Sequence, residues 1–191
     1  MQKYKRLSQL AEVITGYTFR GPIHTEPGSS LFVLQAKNIR EDILIDDADL
    51  TKTSVETSHT KAFAQNGDIV IGSRGIFKAG VVRSDKQILA TSSVYLLRIK
   101  SEGAVLPEYL AIYLNSVAGQ RNLYPCLTAG TIRTLLKRDL ENIQIPLSSL
   151  DQQKQIIRLD ENIRGQARLL SRKISVQKNV INGILNQLER S

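Results

Sequence analysis

The sequence predicts an α+β fold, in which a globular domain of mixed short strands and helices is followed by one long coiled-coil-forming α-helix. Up to about residue 147 the hydrophobic pattern changes every few residues, as short elements require. Residues 148–191 contain no proline and keep one heptad period almost to their end. A length of 191 residues suits one domain and an extension. We therefore expect a domain at residues 1–147 and a helix at residues 148–191.

The first predicted element is a short helix at residues 7–14, where apolar side chains recur at helical spacing and Gly16 provides a C-terminal stop. Those side chains are Leu7, Leu10, Ala11 and Ile14. A loop rich in glycine, proline and serine at residues 21–30 leads into an apolar run at residues 31–35. This run is typical of a strand.

Two more strands are predicted at residues 68–72 and 94–99, because each is rich in β-branched or aromatic residues and is bounded by turn residues. Gly75, Gly80 and Asp85 between them indicate a hairpin-like stretch.

Pro107 suits the first turn of a helix, and apolar residues then recur at helical spacing. They are Leu110, Tyr113, Leu114 and Val117. The segment 128–133 is short, polar and basic, and a last strand at residues 143–146 is ended by Pro146. We therefore expect a helix with one buried face, a basic loop and the final strand of the domain.

The C-terminal helix is predicted from two heptad rows, which occupy the d and a positions of a coiled coil. One row is Ile156, Ile163, Leu170, Gln177 and Ile184, and the other is Asp160, Ala167, Ile174, Ile181 and Leu188. At about 1.5 Å per residue the helix would be roughly 60 Å long, which is too long to be covered by one small domain. We therefore expect it to pair with another helix. The predicted dimerisation residues are Ile156, Ile163, Leu170, Ile174, Gln177, Ile181, Ile184 and Leu188.

An antiparallel pair of two copies is the favoured arrangement. A parallel in-register pair would oppose Lys173 of one chain and Lys178 of the other, which is a like-charge contact. Gly165 and Gly183 each cost such a helix about 1 kcal/mol relative to alanine. They are either tolerated solvent-side positions or sites where helices approach closely.

The charge balance favours a polyanionic partner. The chain has 26 Lys and Arg residues against 18 Asp and Glu residues, a net charge of +8, which suits nucleic acid or an anionic membrane surface. No apolar run approaches the roughly 18 residues of a membrane helix, so we expect no membrane partner. The single cysteine, Cys126, excludes an internal disulfide and fits a reducing compartment, so a cytoplasmic location is expected.

No motif for catalysis or cofactor binding is found in the sequence. Residues 122–125 lack the central prolines of the Asn-Pro-Pro-Tyr loop of amino-methyltransferases, and residues 72–75 lack the Gly-Lys-Ser/Thr ending of a P-loop. Two histidines and one cysteine leave little material for a nucleophile-base pair or a zinc site. The acidic residues at 46–49 are expected to form a solvated loop. We predict no catalytic residue, no metal and no other cofactor, S-adenosylmethionine included.

The sequence instead indicates a binding module, because basic residues alternate with small polar ones in the predicted loops. Arginine can pair with guanine edges and asparagine with adenine, whereas Lys, Ser and Thr hold phosphates. Any basic protein also carries solvated Lys and Arg at its surface. Arg74 is the favoured base reader because Gly72 and Gly75 let the backbone approach a groove. The candidate DNA-binding residues are Tyr17, Arg20, Lys37, Asn38, Arg40, Ser73, Arg74, Lys78, Thr131 and Arg133.

Four segments follow one another in an order that resembles a known family. They are residues 7–19 (LSQLAEVITGYTF), 34–39 (LQAKNI), 67–75 (GDIVIGSRG) and 140–156 (LENIQIPLSSLDQQKQI). They are similar, in turn, to the Leu-x-x-Ile-x-x-Gly-x-Thr opening, the strand ending in Asn-Ile, the Gly-Asp-Ile strand and the Ile-x-Ile-Pro-Leu-Pro…Glu-Gln-x-x-Ile junction of DNA-specificity subunits of type I restriction-modification systems. Ser148 replaces the second proline of the junction, and Gln152 replaces its glutamate.

The resemblance implies a target recognition domain that reads a few base pairs in one half of a bipartite target in double-stranded DNA. It also implies that the long helix is a spacer that docks the methyltransferase (modification) subunit. Catalysis would belong to that subunit and to the restriction subunit of the assembled complex. The family's usual subunit carries two recognition domains and two helices, whereas this chain has one of each. It therefore fits a half-subunit that forms an antiparallel homodimer, a truncated gene product or an excised domain.

A second hypothesis is a structural or regulatory coiled-coil protein that binds other proteins and whose basic charge is incidental. The salt dependence of DNA binding separates the two, because neutralising several phosphates makes binding weaken steeply as salt rises. A degenerate methyltransferase or nuclease fragment ranks last, because the loops that such enzymes need are missing.

Overall fold

The computed structural model describes residues 3–40, 43–55, 60–100 and 104–188. The chain divides into two compact units, Met1–Lys154 and Gln155–Ser191. The first unit mixes short strands and helices, and a long helix runs to residue 188. The predicted α+β fold class is therefore confirmed.

The described residues form ten strands and five α-helices. The strands are β1 Lys3–Arg6, β2 Ala11–Thr15, β3 Leu31–Leu34, β4 Thr51–Lys52, β5 Phe63–Ala64, β6 Ile69–Gly72, β7 Ala79–Val81, β8 Gln87–Ala90, β9 Val94–Ile99 and β10 Gln144–Leu147. The helices are α1 Leu7–Leu10, α2 Pro107–Asn115, α3 Val117–Leu123, α4 Lys137–Asn142 and α5 Leu150–Leu188.

One four-stranded sheet is antiparallel throughout and has the strand order β2-β9-β6-β7. All four residues of β6 and the first four of β9 are buried, which explains why both strands read as continuous apolar runs in the sequence. The strands predicted at residues 68–72 and 94–99 are thereby confirmed.

The second four-stranded sheet is mixed and has the order β4-β3-β8-β5, in which β3 and β8 run parallel. The strand predicted at residues 31–35 is β3. Side chains from both sheets form one hydrophobic cluster, and burial of each large aliphatic side chain contributes roughly 1.5 to 3 kcal/mol. The cluster includes Ile14, Val70 and Leu96 of the first sheet and Leu34, Ile88 and Ala90 of the second.

The helix predicted at residues 7–14 is wrong beyond Leu10. The backbone becomes extended at Ala11, with φ −139° and ψ 150°, and strand β2 then pairs with β9 over five residues. Tertiary pairing therefore overrides the helical spacing of the apolar residues. Gly16 is not a helix stop: a Cβ there would lie 2.1 Å from the carbonyl oxygen of Thr91. The glycine is needed for this close backbone approach.

The remaining predicted elements of the first unit are present, with two corrections. Helix α2 starts at Pro107 as expected, but Val117 belongs to α3, because the Ser116 hydroxyl caps a new helix by accepting from the backbone N–H of Gly119 at 3.1 Å. Pro146 lies inside β10 rather than ending it. This strand pairs with β1 alone among the described strands, and an edge strand tolerates a proline.

Helix α5 confirms the predicted long helix. It has 39 residues, or about 60 Å, and residues 189–191 of the predicted range lie outside the described residues. The aliphatic side chains of the two heptad rows, from Ile156 to Leu188, form the seam of the predicted coiled coil. They are 39% to 68% exposed in the single chain. Asp160, at an a position, pairs with Arg164 of the same helix. No helix in the described part of the chain is long and apolar enough to span a membrane.

Candidate nucleic-acid interface

The carboxyl ends of four strands meet around one short turn, Thr91–Ser93. Strands β2 and β6 end opposite the first two residues of β9, which directly follows this turn. Strands β3 and β8 run parallel and end side by side at Leu34 and Ala90. The loops that follow these strands therefore lie at one edge of the two sheets. We call this surface the loop edge and define it as residues 16–23, 35–39, 72–78, 91–93 and 127–136.

Backbone atoms of the turn hold two of the loops. The N–H of Ser92 donates to the carbonyl oxygen of Tyr17 at 2.8 Å. The N–H of Ser73 donates to the carbonyl oxygen of Ser93, also at 2.8 Å. The loops after β2 and β6 are thus fixed relative to each other through the turn between them.

Hydroxyl groups of the turn add a second set of contacts. The Ser93 hydroxyl accepts from the N–H of Ala36 at 3.1 Å and lies 2.7 Å from the Thr91 hydroxyl, which fixes the loop after β3. The Ser73 hydroxyl donates to the carbonyl oxygen of Ser92 at 2.9 Å. Three loops that are distant in sequence therefore share one anchor.

The segment 127–136 is fastened to the same edge. The N–H of Leu135 donates to the carbonyl oxygen of Ser73 at 2.8 Å, and the N–H of Gly75 donates to that of Arg133 at 3.2 Å. The Tyr95 hydroxyl donates to the carbonyl oxygen of Leu135 at 3.0 Å. Burial raises the pKa of Tyr95, which keeps this hydroxyl protonated as a donor.

The loop edge is cationic. Its five segments contain no Asp or Glu, and they carry the exposed side chains of Arg20, Lys37, Arg74, Lys78 and Arg133. Several acids lie elsewhere in the first unit, in ion pairs such as Arg83–Glu108, Lys61–Glu12 and Arg98–Asp68. The positive potential of the loop edge is therefore not offset within its own segments, and such a surface attracts polyanions.

The structure brings most of the predicted DNA-binding residues to this edge. Half-buried Tyr17 packs edge-on against Phe19, with 4.9 Å between the ring centroids, and Thr131 is exposed. The Arg133 guanidinium lies over the Tyr124 ring, 5.1 Å from its centroid. Such stacking holds the guanidinium in place while leaving the edge of its fork available.

Arg40 falls just outside the loop edge. Its guanidinium is exposed but forms an ion pair with Asp49 at 2.8 Å. DNA contact by the Arg40 guanidinium would have to compete with this carboxylate. A role of Arg40 in DNA binding stays a prediction.

Two predicted contact residues are buried. Asn38 is 5% exposed; its Oδ1 accepts from the N–H of Gln35 at 2.8 Å and its Nδ2 donates to the carbonyl oxygen of Asp49 at 2.7 Å. Ser73 is 2% exposed and its hydroxyl donates to the carbonyl oxygen of Ser92 in the turn described above. Both side chains form hydrogen bonds that shape the loops, and direct DNA contact by either stays a prediction.

The Thr91–Ser93 turn was not predicted from the sequence. The available signal was a run of three hydroxyl residues directly before a predicted strand, since Ser and Thr side chains readily bond to nearby backbone groups. Within the described ranges, no three His, Cys, Asp or Glu side chains group together as metal ligands would.

Comparison with known proteins gives one family and a set of similar folds. The profile of the family described as type I restriction modification DNA specificity domain matches residues 2–178. A comparison with curated proteins finds no match.

Solved structures share the fold over most of this chain. One comes from a study of complex assembly and conformational transition of the type I R-M system (21% identity, TM-score 0.66, 90% of this chain and 40% of that chain). Another is the HsdS subunit from Thermoanaerobacter tengcongensis (22%, 0.62, 90% and 39%). A third is the type I restriction-modification S subunit from M. genitalium (18%, 0.58, 88% and 41%). The chain thus spans about two fifths of the length of each of these structures.

Proposed function

Because the chain belongs to the family of type I restriction modification DNA specificity domains, we propose that it is a DNA-specificity half-subunit that binds duplex DNA through its loop edge. In this proposal residues 1–147 are the recognition domain and residues 148–191 are the spacer helix. The observation that carries it is that five exposed cations, with no acid among them, lie on loops that are hydrogen-bonded to one turn or to each other.

Two kinds of contact follow from the geometry of the loop edge. Exposed Lys37 and Lys78 are suited to phosphates, because an ammonium group is a compact charge without a directional fork. Arg74 follows the buried end of β6 and is suited to a guanine edge, to which its guanidinium can donate two parallel bonds. The rigid turn supplies the preorganisation that base readout needs.

The long helix supplies the partner contacts. We propose that two copies pair antiparallel through the exposed seam of α5, so that two identical recognition domains read an interrupted palindrome as a bipartite target. The same helix would dock the modification subunit, and the restriction subunit would join in the assembled complex. The chain itself would be non-catalytic and would direct the chemistry of these partners.

The salt dependence of DNA binding tests the DNA-binding role. We expect the purified chain to bind duplex DNA with a log–log salt slope of about −0.9 per phosphate neutralised. Changing Lys78 to alanine should reduce the magnitude of the slope by about one contact. The matched control is Lys61→Ala, since Lys61 is exposed and paired with Glu12 outside the loop edge. Absence of duplex binding at low salt would instead favour a coiled-coil protein-binding module.

A further inference from the structure

Residues 127–135 of the loop edge form a short two-stranded ribbon. Leu127 and Leu135 form an antiparallel backbone bridge. Beyond them, the N–H of Thr128 donates to the carbonyl oxygen of Thr134 at 2.9 Å, and the N–H of Thr134 donates back to the Thr128 hydroxyl at 3.0 Å. The ribbon, residues 127–135, is therefore closed at its base, and residues 129–133 form its tip.

Two contacts hold the tip in place on one side. The stacking of Arg133 on Tyr124 and the bond from the N–H of Gly75 to the carbonyl oxygen of Arg133 both act at its last residue. Gly130 has a φ of 144°, which a residue with a side chain rarely adopts, and this lets the tip turn back tightly. Because the tip is already held by these contacts, it loses little conformational entropy when it enters a binding partner.

An apolar side chain stands at this tip. Ile132 is 69% exposed, between exposed Thr131 and Arg133, and Arg74 lies on the neighbouring loop to which the ribbon is bonded. A single exposed isoleucine is ordinary on a protein surface. Here, however, it is next to Arg133 in the chain, on a cationic edge whose segments hold no acid. These surroundings favour a polyanion that also offers an apolar group.

We propose that the 127–135 ribbon enters the DNA major groove and that Ile132 contacts the 5-methyl group of a thymine. This inference rests on the proposed DNA-binding function. The major groove is about 12 Å wide and admits a two-stranded ribbon, and the thymine methyl is the apolar group that its base edges present. Arg133, which follows Ile132 in the chain, and Arg74, which pairs with Thr134 from the adjoining loop, supply the charge that holds the ribbon in the groove. Ile132 then determines specificity without forming a hydrogen bond.

The first part of the test compares base preferences. The whole chain and its Ile132→Ala variant each select from a randomised duplex library at the same salt concentration. The control is Leu44→Ala, which also removes an exposed aliphatic side chain, at a position outside the loop edge. We expect the Ile132 variant to lose its preference at a thymine position, while Leu44→Ala selects as the unaltered chain does. Because the Ile132 and Leu44 side chains are both exposed, both variants should unfold at the temperature of the parent chain.

The second part removes the methyl group from the DNA. Deoxyuridine at the selected thymine should weaken binding by the parent chain about fourfold, which is the contribution to affinity expected from burying one methyl group. It should leave binding by the Ile132→Ala variant unaffected. Equal sensitivity of both proteins to deoxyuridine would overturn the inference. So would a uniform loss of affinity with thymine preference retained, which would indicate a wedge between base pairs. Absence of any duplex binding would overturn the proposed function as well, and a protein partner for Ile132 would then be favoured.

Discussion

The guanidinium of Arg98 and the carboxylate of Asp68 form a forked ion pair. Nε donates to Oδ1 at 3.0 Å and Nη2 donates to Oδ2 at 2.7 Å, and Nη2 also donates to the carbonyl oxygen of Phe63 at 3.0 Å. Through its bond to Phe63, Arg98 of β9 in the first sheet is also joined to β5 of the second. The hydrogen bonds to Asp68 raise the pKa of Arg98. Stability from a raised pKa is present below the unfolded value, so this contribution is complete at neutral pH and is lost only in strong alkali.

Breaking this pair should destabilise the first unit. Asp68 is 3% exposed on its side chain, so Asp68→Asn, which removes the charge that Arg98 pairs with, should lower the free energy of unfolding by about 3 kcal/mol. Arg98→Lys keeps the charge but loses the fork and should cost less. Urea denaturation measures both. Lys61→Ala, which breaks an exposed pair, should cost under about 1 kcal/mol. A loss for Asp68→Asn no larger than for Lys61→Ala would contradict the structural role of the pair.

Gly16 should be intolerant of a side chain. A Cβ there would lie 2.1 Å from the carbonyl oxygen of Thr91, so Gly16→Ala must displace the turn or the strand end. We expect a loss of about 1 to 3 kcal/mol of stability, with weaker DNA binding. The matched control is Gly21→Ala, because nothing lies within 4 Å of a Cβ at Gly21. Thermal unfolding and duplex titration would refute this prediction if the two variants behaved alike.

Changing Arg74 or Lys78 to alanine should alter DNA binding in different ways. Loss of a bidentate guanine contact in Arg74→Ala should cost about 1 to 3 kcal/mol of binding and relax preference at one position. Lys78→Ala should weaken binding to all sequences alike, because a phosphate carries no sequence information. Selection from a duplex library, followed by titration of single-base variants, separates the two. An unchanged preference and affinity in Arg74→Ala would exclude it as a base reader.

Charged side chains in the seam of α5 should prevent two copies of the chain from pairing. Ile174 and Ile181 are 53% and 56% exposed in the single chain and share one heptad row. Changing both to glutamate should convert a dimer into a monomer in light scattering, since buried like charges oppose pairing. Asn179→Glu adds a charge on the face opposite the seam and should leave the mass unchanged. A parent chain that is already monomeric at micromolar concentration would contradict the homodimer.

The sequence predicted best the elements whose signal is local and repeated. Helix α5 follows from many heptads, and β6 and β9 follow from runs of β-branched or aromatic residues. Strands β4 and β5 have only two residues each, and they exist because distant strands pair with them. No local pattern could reveal them.

The same distinction applies to the candidate site. Basic and polar residues in loops are visible in the sequence, but their meeting at one edge depends on how the strands pair. Which of these side chains face solvent depends on tertiary contacts, as the buried amide of Asn38 shows. The anchor at Thr91–Ser93 depends on strand register, which the sequence alone does not give.

The anchoring of the loops has a consequence for how binding preference could diversify. The bonds from Ser92 to Tyr17 and from Ser73 to Ser93 join backbone atoms, which every residue except proline can supply. Exposed positions such as Arg20, Lys37 and Arg74 can therefore be exchanged for other residues without loss of these bonds. A new base preference would then require only a few surface replacements, and the stability of the sheets beneath would be inherited unchanged.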